Sequence, residues 1–582
     1  MHATGVSTSL LLAAALLCLT CAKKDPASLG ADGGARSSLL ARYETGPAPA
    51  ETEPPAEESA KVDGIVPGIE PETEPPLYGR AVWNVVTVYD KPDMRSLHLG
   101  YLRKGAVVVL EDAKVADKTP KKPSCRKGWW MLADGGGYIC SSKGVEAHKD
   151  LQPSDLYPMP PATDAPMPYS YGHIMVDLTP LYERPPTSEE EAQVDAWVAQ
   201  TKKELKNKAL EKEQAKLEAD KKKKEKAKEA APTPEPASEA EAIPASEPAP
   251  PAPAESAAAE EEAAATPAAL SPVEGQPTPV AQDPEPEEEE ADEGIPFDFV
   301  RMLMLKGFYI SIDRQTIHHG EKWYRTIKGQ YVKAEKVFPV NIRIRGGKEL
   351  EQGFSFPAGI VLRETIFERV WNKKKNHIMK NRDVVYDKFF VFKIHGKQID
   401  KVNDIDAVFY EIDEPGETMV LSWSIVPVMK KEPPPPEVPE HGKWIHVDVS
   451  DQTLTAYEGE QPVFLTLISS GNEKQDEEYM TPRGTFWMQS KHVSATMDNL
   501  ALDDGSYSIE DVPWTMYFHS SYALHGAFWH SVFGHQRSHG CVNMTPRDAK
   551  WIFDWSEPRL PLGWHGVVAT KDRPGTVVKV TD

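Results

Sequence analysis

The sequence has no excess of basic residues, few cysteines and almost no long apolar run. Asp and Glu (89) outnumber Lys and Arg (66), which gives a net charge of −23. This balance argues against nucleic acid binding, because a phosphate-binding protein needs a basic face. The one marked apolar stretch, near the start, is too short to span a bilayer, and no other segment is long and apolar enough to be a membrane helix. At 582 residues the chain is too long for one hydrophobic core, so we expect several domains.

Residues 1–21 have the character of a secretory signal. The apolar stretch 10–19 is too short to span a bilayer, and polar, lysine-bearing sequence follows it at once. Cys21 stands where a lipoprotein signal places its lipidated cysteine, although Thr20 replaces the usual small residue and leaves ordinary signal-peptidase cleavage open. We therefore predict export to the periplasm or cell envelope, with Cys21 as a candidate lipid anchor to the membrane. The Ala-, Pro- and Glu-rich residues 22–76 are predicted to form a disordered tether.

Residues 77–150 alternate short apolar strands with turns that contain Pro, Gly and Asp. A VYDKPD entry, a GYLRKG hairpin and a GWW…GGGYI segment follow one another, and this order resembles a bacterial SH3-like domain. Cys125 and Cys140 flank the last segment. In an oxidising compartment these two cysteines are a candidate disulfide.

A second copy of this pattern is split. Residues 171–186 repeat the entry as LYERPP, and residues 295–338 carry the second half, with GEKWYRT and GQYV. The intervening residues 187–294 begin with a Lys/Glu/Ala-rich stretch, predicted as a solvated helix, and continue as a Pro/Ala/Glu tract that cannot bury a core. We predict a second SH3-like barrel interrupted by this arm. A plain linker between two unrelated domains is the alternative.

Residues 339–431 read as a further β-rich unit of unassigned role. Within it, residues 363–374 are predicted to form a short helix. The proline-rich residues 432–441 are predicted to be a stiff spacer that marks a domain boundary.

Residues 442–582 are predicted to form a last β-rich domain. We expect two alternating strands joined through EGEQP, then a strand after the TPRG turn, and a helix, TPRDAKWIFDW, capped by Thr545. A strand at HGVVATKD ends the domain. The predicted fold class is therefore multidomain and mainly β.

The stretch His525–Met544 concentrates four histidines and Cys541, and three interpretations compete for it. A zinc site would suit the spacing of His535 and His539, but structural zinc sites usually need paired cysteines and only one is present. An inert buried cysteine is disfavoured by Gly540, which allows the tight turn that a nucleophile needs.

The third interpretation makes Cys541 a nucleophile. A thiol is mostly protonated at neutral pH and needs an adjacent imidazole. His525 lies at the end of a strand-like run that would hold such a base rigidly. Because no Asp is placed to orient the base, the Gly526 carbonyl is the candidate third partner.

The motif HGAFWH…SHGCVN resembles the signature of the L,D-transpeptidase (YkuD-type) catalytic domain. WIHVDVSDQTLTAYEGEQPVF, SSG and TPRGTFWMQSK stand in the order of that family, so the resemblance covers about residues 443–572. It implies that Cys541 is the nucleophile and His525 the base, with Gly526 as third partner.

The resemblance also assigns further roles. Residues that shape the site are Ser538, His539, Gly540 and Asn543, and backbone N–H groups near Gly540 and Cys541 would form an oxyanion hole. Candidate substrate-binding residues are Arg537, Tyr517 and Trp529, with a plain surface position as the equal alternative for Arg537. The loop 499–511 is expected to belong to a substrate lid, and His530 and His535 are expected to be solvated or capping residues.

The implied reaction is acyl transfer on peptidoglycan stem peptides, with release of D-Ala and formation of a cross-link or attachment of a protein. With water as acceptor, the same site would be an L,D-carboxypeptidase. A wall-binding scaffold with an inactive domain is the non-enzymatic alternative, although the sequence retains both Cys541 and His525. The expected partner is the cell wall, and no metal or other cofactor is expected.

Overall fold

The computed structural model describes residues 76–116, 125–133, 136–151, 154–229, 294–412, 416–429, 432–498 and 507–582. The predicted signal segment, Cys21, the tether up to residue 75 and residues 230–293 of the insertion lie outside the described residues. Across the described ranges the fold is mainly β, with two α-helices and no closed barrel. Neither helix combines the length and apolar character needed to cross a membrane.

The first unit is built from seven strands. They are β1 (Leu77–Ala81), β2 (Val85–Tyr89), β3 (His98–Arg103), β4 (Val107–Leu110), β5 (Trp129–Met131), β6 (Tyr138–Cys140) and β7 (Val145–His148). β1 pairs with β4 and β7 in one sheet, whereas β3, β2, β6 and β5 follow one another in a second. Cys125 and Cys140, the predicted pair, are joined by a disulfide. The SH3-like identity of this unit stays a prediction.

The second unit draws its strands from both sides of the insertion. They are β8 (Ser170–Ile174), β9 (Thr179–Tyr182), β10 (Val300–Met304), β11 (Tyr309–His318), β12 (Glu321–Thr326), β13 (Tyr331–Lys333) and β14 (Val337–Pro339). β8 pairs with β11 and β14, and β9 pairs with β10 and β13, all antiparallel. The two halves of the split pattern therefore lie together in one unit.

Helix α1 (Ser188–Glu229) leaves this unit at Thr187. The Thr187 hydroxyl accepts from the Glu190 N–H (3.2 Å), and the Glu190 carboxylate accepts from the Thr187 N–H (2.8 Å), which forms a capping box. The helix was expected to be solvated throughout, but its first turns bury Val194 and Val198 in a cluster with Trp323 of the second unit. The start of the arm is therefore packed against a folded body.

The middle unit contains nine strands. They are β15 (Lys348–Glu349), β16 (Ala358–Val361), β17 (Thr365–Asn372), β18 (His377–Asp387), β19 (Val391–Lys393), β20 (Gly396–Val402), β21 (Ile405–Glu411), β22 (Thr418–Leu421) and β23 (Ile425–Val428). The prediction of a helix over residues 363–374 is wrong, because this segment is strand β17 and pairs with β18 and β22. Cross-strand pairing outweighs a local pattern that suits either structure.

The C-terminal domain contains ten strands and one helix. They are β24 (Lys443–Asp448), β25 (Thr453–Glu458), β26 (Gln461–Leu467), β27 (Gly484–Trp487), β28 (Ser490–Asp498), β29 (Ser508–His519), β30 (Tyr522–Gly526), β31 (Val542–Met544), β32 (Gly566–Val568), β33 (Val577–Thr581) and α2 (Pro546–Trp555). A short 3-10 turn lies in this domain at Glu477–Tyr479, and two others lie upstream, at Ala334–Lys336 in the second unit and Ser422–Ser424 in the middle unit.

Three details of this domain differ from or match the sequence predictions. The segment predicted to form two strands joined through EGEQP forms three strands, β24, β25 and β26. The additional break arises because the chain turns at Gln452, whose φ is +55°. The last strand is β33, which lies beyond HGVVATKD and pairs in parallel with β24. Helix α2 is confirmed where it was expected, with the Thr545 hydroxyl accepting from the Asp548 N–H (3.2 Å).

The predicted proline-rich spacer lies against this domain. Glu432 forms an ion pair with Lys579 on β33 (2.9 Å), and Val438 packs on the stacked rings of Trp444 and Tyr457. The run therefore follows the domain surface and does not stand free of it.

The core of the C-terminal domain lies between two sheets and helix α2. One sheet has the order β15-β26-β25-β24-β33-β27, and the other includes β31-β30-β29-β28-β32. Ile445, Trp514 and Ile552 contribute to one cluster from the first sheet, the second sheet and the helix. Burying side chains of this size stabilises the domain by roughly 1.5–3 kcal/mol each. The core fixes the strands that carry the functional residues.

The second sheet continues into both upstream units. β3 of the first unit pairs with β32, and β11 of the second unit pairs with β29 through a parallel bridge between Tyr309 and Ile509. The C-terminal domain therefore shares one sheet with both units.

One buried carboxylate, that of Asp511 on β29, joins these three bodies. Arg103 on β3 donates to both of its oxygens, Ser494 on β28 donates to Oδ1 (2.8 Å), and Ser311 on β11 donates to Oδ2. Burial alone would raise the pKa of Asp511, but the charge of Arg103 and these hydrogen bonds hold that pKa below its usual range. The ionised pair therefore ties the upstream units to strand β29.

Candidate active site

The candidate base and nucleophile lie at two neighbouring parallel strands. His525 is on β30, and Cys541 directly precedes β31. The two strands pair in parallel with His525 opposite Asn543. The thiol of Cys541 donates to the carbonyl oxygen of Ser521 just before β30, at a distance of 3.8 Å. The connection 527–540 therefore returns the sulfur to the strand that carries the imidazole.

The turn before Cys541 requires glycine. Gly540 has φ +119°, and a Cβ at this position would lie 2.5 Å from the Tyr522 ring. The Ser538 hydroxyl accepts from the Gly540 N–H (3.1 Å) and donates to the Cys541 carbonyl. Ser538 thus holds the turn closed. The Gly540 N–H is used inside the turn, so the Cys541 N–H stays the predicted oxyanion donor.

The SSG motif after β26 anchors this loop. The Ser470 carbonyl accepts from the N–H groups of Arg537 (2.9 Å) and Ser538 (3.0 Å). Ser469 and Asn543 exchange two backbone hydrogen bonds of 2.9 Å each. These bonds fix both ends of the segment around Cys541.

Two further residues support the loop and were not singled out from the sequence. The Thr481 hydroxyl donates to the Gly540 carbonyl (2.8 Å) and accepts from the Gly471 N–H (2.9 Å). The Gln452 side chain accepts from the Ser470 N–H (2.9 Å). The motifs SSG and TPRG were visible in the sequence and could have pointed to Thr481. Their positions along the chain do not show, however, that both contact the loop 537–540.

His525 is 2% exposed and has the environment of a neutral base. Its Nδ1 lies 3.3 Å from the Gly526 carbonyl oxygen, which can only accept, so Nδ1 carries the proton and Nε2 keeps its lone pair. The Trp529 ring stacks on the imidazole with centroids 5.8 Å apart. Burial lowers the pKa of His525 to about 4, so the ring is neutral at pH 7.

The Cys541 thiol is half-buried and protonated at rest. Burial raises the pKa of Cys541 to about 11, so the thiolate needs a base to form. Tyr517 on β29 lies within electrostatic range of the sulfur. Burial, followed by the charge of a Cys541 thiolate, raises the pKa of Tyr517 to about 12. Tyr517 is therefore a neutral hydroxyl near the candidate nucleophile.

His530 belongs to this site. Its Nδ1 accepts from the Val532 N–H (3.3 Å), and its Nε2 lies 3.0 Å from the side-chain amide nitrogen of Asn543. Burial, followed by the charges of Arg537 and nearby groups, lowers the pKa of His530 to about 3. Of the two roles that the sequence left open for His530, solvated or capping, the half-buried ring and its bond to the Val532 N–H fit the capping role.

The remaining predicted residues lie at the rim. Arg537, His535 and His539 are exposed. The His539 ring contacts Tyr479 edge to face (4.2 Å) and stacks on Tyr507 (5.4 Å). In the lid predicted over residues 499–511, residues 499–506 lie outside the described residues, while the part from Ser508 onward is strand β29 and not loop.

The second unit forms part of the wall behind the base. Tyr171 and Tyr309 pack on Phe528 with ring centroids 4.2 and 5.5 Å apart. Phe528 in turn contacts Trp529 edge to face (5.2 Å), and Trp529 stacks on His525. A continuous aromatic contact therefore leads from the second unit to the imidazole.

Within the described ranges, no group of three or more His, Cys, Asp or Glu side chains is arranged to hold a metal ion. The fold and the site define a β-rich domain in which a neutral imidazole on one strand lies next to the strand that a protonated cysteine directly precedes.

Residues 442–580 match the family model of the YkuD L,D-transpeptidase catalytic domain. The C-terminal part of the chain therefore carries a domain of this family. The chain is also similar to the candidate L,D-transpeptidase YciB of Bacillus subtilis (strain 168), with 27% identity over 135 residues. The match covers 20% of this chain and 63% of the relative, so it spans less than two thirds of that protein.

Several solved structures are also similar to parts of the chain. The L,D-transpeptidase of Xylanimonas cellulosilytica is 26% identical with a TM-score of 0.18, covering 26% of this chain and 64% of that one. The catalytic domain of the Enterococcus faecium L,D-transpeptidase is 25% identical with a TM-score of 0.19, covering 24% and 98%. An L,D-transpeptidase from Mycobacterium smegmatis is 17% identical with a TM-score of 0.19, covering 42% and 100%.

Proposed function

We propose that the protein is an exported peptidoglycan L,D-transpeptidase with Cys541 as nucleophile and His525 as base. The main support for this proposal is that a half-buried thiol lies beside the strand that carries a buried imidazole. The Nδ1 of this imidazole lies 3.3 Å from the Gly526 carbonyl oxygen. The match of residues 442–580 to a family that acts on peptidoglycan stem peptides supports the substrate class.

In the first half-reaction His525 Nε2 takes the thiol proton and the Cys541 sulfur attacks the carbonyl carbon before the terminal D-Ala. The C–N bond breaks, and the imidazolium returns its proton to the departing amine of D-Ala. A thioester between the stem peptide and Cys541 remains. The Cys541 N–H is placed in the role of oxyanion donor, and such a donor contributes about 2.7–4 kcal/mol to the transition state.

In the second half-reaction the amine of another stem, or of a protein, attacks the thioester. His525 takes a proton from this amine, the new amide bond forms, and the sulfur leaves and is reprotonated. Trp529, which stacks on His525, and Tyr517, which lies within electrostatic range of the sulfur, are proposed to contact the substrate, and exposed Arg537 is proposed to meet a substrate carboxylate. If water attacks in place of the amine, the product is a shortened stem peptide.

The proposed location is the periplasm or cell envelope. The disulfide between Cys125 and Cys140 supports an oxidising compartment, because such bonds rarely persist in a reducing cytosol. The same proposal includes lipidation of Cys21. It also includes an SH3-like character for the two upstream units and their binding to the cell wall.

The first test is acylation by the carbapenem ertapenem, followed by mass spectrometry of the intact protein and of its peptides. We expect one adduct, on Cys541, and none on the Cys541→Ala variant. A folded wild-type protein that takes up no ertapenem would overturn the assignment of the nucleophile.

The second test identifies the acceptor. Wild type and Cys541→Ala are incubated with purified peptidoglycan, and the released D-Ala and the new cross-links are measured. Cross-links that depend on Cys541 support transpeptidation, whereas release of D-Ala without cross-links identifies the carboxypeptidase reaction.

A further inference from the structure

A basic cleft lies between the middle unit and the C-terminal domain. It has a volume of about 320 Å³, and its charged lining residues are Arg345, Lys348, Lys388, Arg547 and Asp387. Four cationic side chains around one cavity are notable in a chain whose net charge is −23. The cleft is open to solvent, so an anion can reach it.

The positive charge of the cleft is only partly neutralised by the protein. Arg345 forms an ion pair with Glu364 at the rim (2.8 Å), and Asp387 accepts from the Thr365 hydroxyl (2.8 Å). Among the described residues, Lys348 and Arg547 form no salt bridge. Two exposed cations therefore face the cleft without an ion-pair partner in this part of the chain.

Asp548, which follows Arg547 in helix α2, is not among the residues that line the cavity. Its carboxylate is fully buried and accepts from the Thr466 hydroxyl (2.6 Å) and the Gly347 N–H (2.9 Å). Burial raises the pKa of Asp548 to about 6, whereas these hydrogen bonds and, last, the charge of Arg547 lower it, so the carboxylate is mostly ionised at neutral pH. Gly346, which lines the cleft, packs directly on this carboxylate, because a Cβ on Gly346 would lie 2.2 Å from Asp548 Oδ1.

The cleft adjoins the loop of the active site. Lys388 donates from Nζ to the Ser531 carbonyl (3.3 Å), one residue after His530. Phe389 packs on Phe533 of the same loop, with ring centroids 6.0 Å apart. The middle unit therefore supports the loop from behind and presents its cations next to it.

We propose that this cleft is a subsite for an anionic group, a carboxylate or a phosphate, carried by the wall polymer on which the enzyme acts. This inference rests on the proposed function and extends it to a substrate-positioning role for the middle unit. A long polymer reaches both the sulfur and the cleft, whereas a small β-lactam occupies only the site at Cys541. The cleft therefore affects the polymer reaction and leaves acylation by ertapenem unchanged.

The test variant is Lys348→Ala/Arg547→Ala, which removes two exposed cations from the cleft. The matched control is Lys374→Ala/Lys375→Ala, which removes the same charge from the exposed turn between β17 and β18. A third variant, Lys348→Arg/Arg547→Lys, keeps both charges. For each protein we measure co-sedimentation with purified sacculi at low and high salt, cross-linking of peptidoglycan, and the rate of ertapenem acylation.

We expect the test variant to bind sacculi about tenfold more weakly at low salt, a change of about 1.4 kcal/mol, because it loses two exposed ion pairs with the polymer. Cross-linking should fall in parallel, while acylation by ertapenem stays at the wild-type rate. The control and the charge-keeping variant should behave as wild type. Sacculi treated with hydrofluoric acid lose their phosphate polymers. If the test variant still binds such sacculi more weakly than wild type does, the cleft binds carboxylates; if the two bind equally, it binds phosphates.

Binding and cross-linking that are equal in the test variant and the control would overturn the subsite. Failure of wild type to react with ertapenem would instead overturn the proposed function, and the sacculus-binding comparison would still decide whether the cleft binds an anion. The two failures are therefore distinguishable.

Discussion

The active centre and the Asp511 junction both lie on the second sheet of the C-terminal domain, yet burial has opposite consequences in them. At the active centre, burial without a countercharge keeps both groups neutral, with the pKa of Cys541 near 11 and that of His525 near 4. At the junction, Arg103 lies against Asp511 and holds the carboxyl in its ionised form.

This difference separates reactivity from stability. In the proposed mechanism the neutral thiol and the neutral imidazole exchange a proton when a substrate arrives, and neither is needed as a partner for a buried charge. Asp511 and Arg103 already have the charge that each requires, so removing either one leaves a buried ion unpaired. We therefore expect changes at the first region to alter chemistry and changes at the second to alter folding.

The largest expected effect is that of His525→Gln. The rate of ertapenem acylation should fall about 10²–10⁴-fold, because the proton of Cys541 loses its base. The measurement is the time course of adduct formation by mass spectrometry, with urea unfolding as a control for the fold. An acylation rate within threefold of wild type would remove His525 from its proposed role.

The next largest effect is that of Asp511→Ala on stability. Leaving Arg103 buried without a partner should lower the free energy of unfolding by about 3–5 kcal/mol. Urea unfolding followed by tryptophan fluorescence measures the loss. The double variant Arg103→Met/Asp511→Leu is the matched comparison and should recover most of it. A loss below about 1 kcal/mol in the single variant would show that the junction is not the structural link described above.

The same pair gives a pH dependence of stability. The folded-state pKa of Asp511 lies below its unfolded value of about 3.9, so its contribution is complete above that pH and is lost as the pH falls further. Wild type should therefore lose stability below about pH 4 more steeply than the double variant. Parallel acid-unfolding curves for the two proteins would contradict the assignment.

A smaller effect, which grows gradually with pH, is expected on the rate at which Cys541 is alkylated. Because only the thiolate reacts and the pKa of the thiol is near 11, the rate with iodoacetamide should rise about tenfold per pH unit between about pH 7 and 10. Mass spectrometry of the alkylated peptide gives this rate. A plateau reached near pH 7 would mean that the resting centre already holds a thiolate–imidazolium pair, and the contrast with the Asp511 junction would fail.

The smallest effect is expected for Tyr517→Phe. The hydroxyl is neutral and lies near the sulfur, and no salt bridge or charged hydrogen-bond partner is found for it among the described residues, so its removal should change ertapenem acylation by less than about tenfold and leave stability nearly unchanged. The pH dependence of Cys541 alkylation is the sharper readout. If Tyr517 lies at the thiolate, the profile should shift, whereas an unchanged profile would separate the two groups.

Much of the active centre could be read from the sequence because it is local. The segment SHGCVN places the turn and the thiol within a few residues, and Gly540 adopts the positive φ that its position suggested. The environment of His530 was harder to predict. Its contact with Asn543, thirteen residues later, depends on how the loop between them folds. Residues 363–374 were predicted to form a short helix, but their pairing with β18 makes them a strand.

The sequence by itself determined the mainly β character, the helix capped by Thr545, and the identities of the nucleophile and base proposed for the C-terminal domain. These features follow from patterns and motifs that span few residues. Only the tertiary structure decided that Asp511 meets Arg103, 408 positions away, and that the middle unit sets Lys388 against the active-site loop. Contacts at such separations depend on how whole sheets join, and no local pattern specifies that.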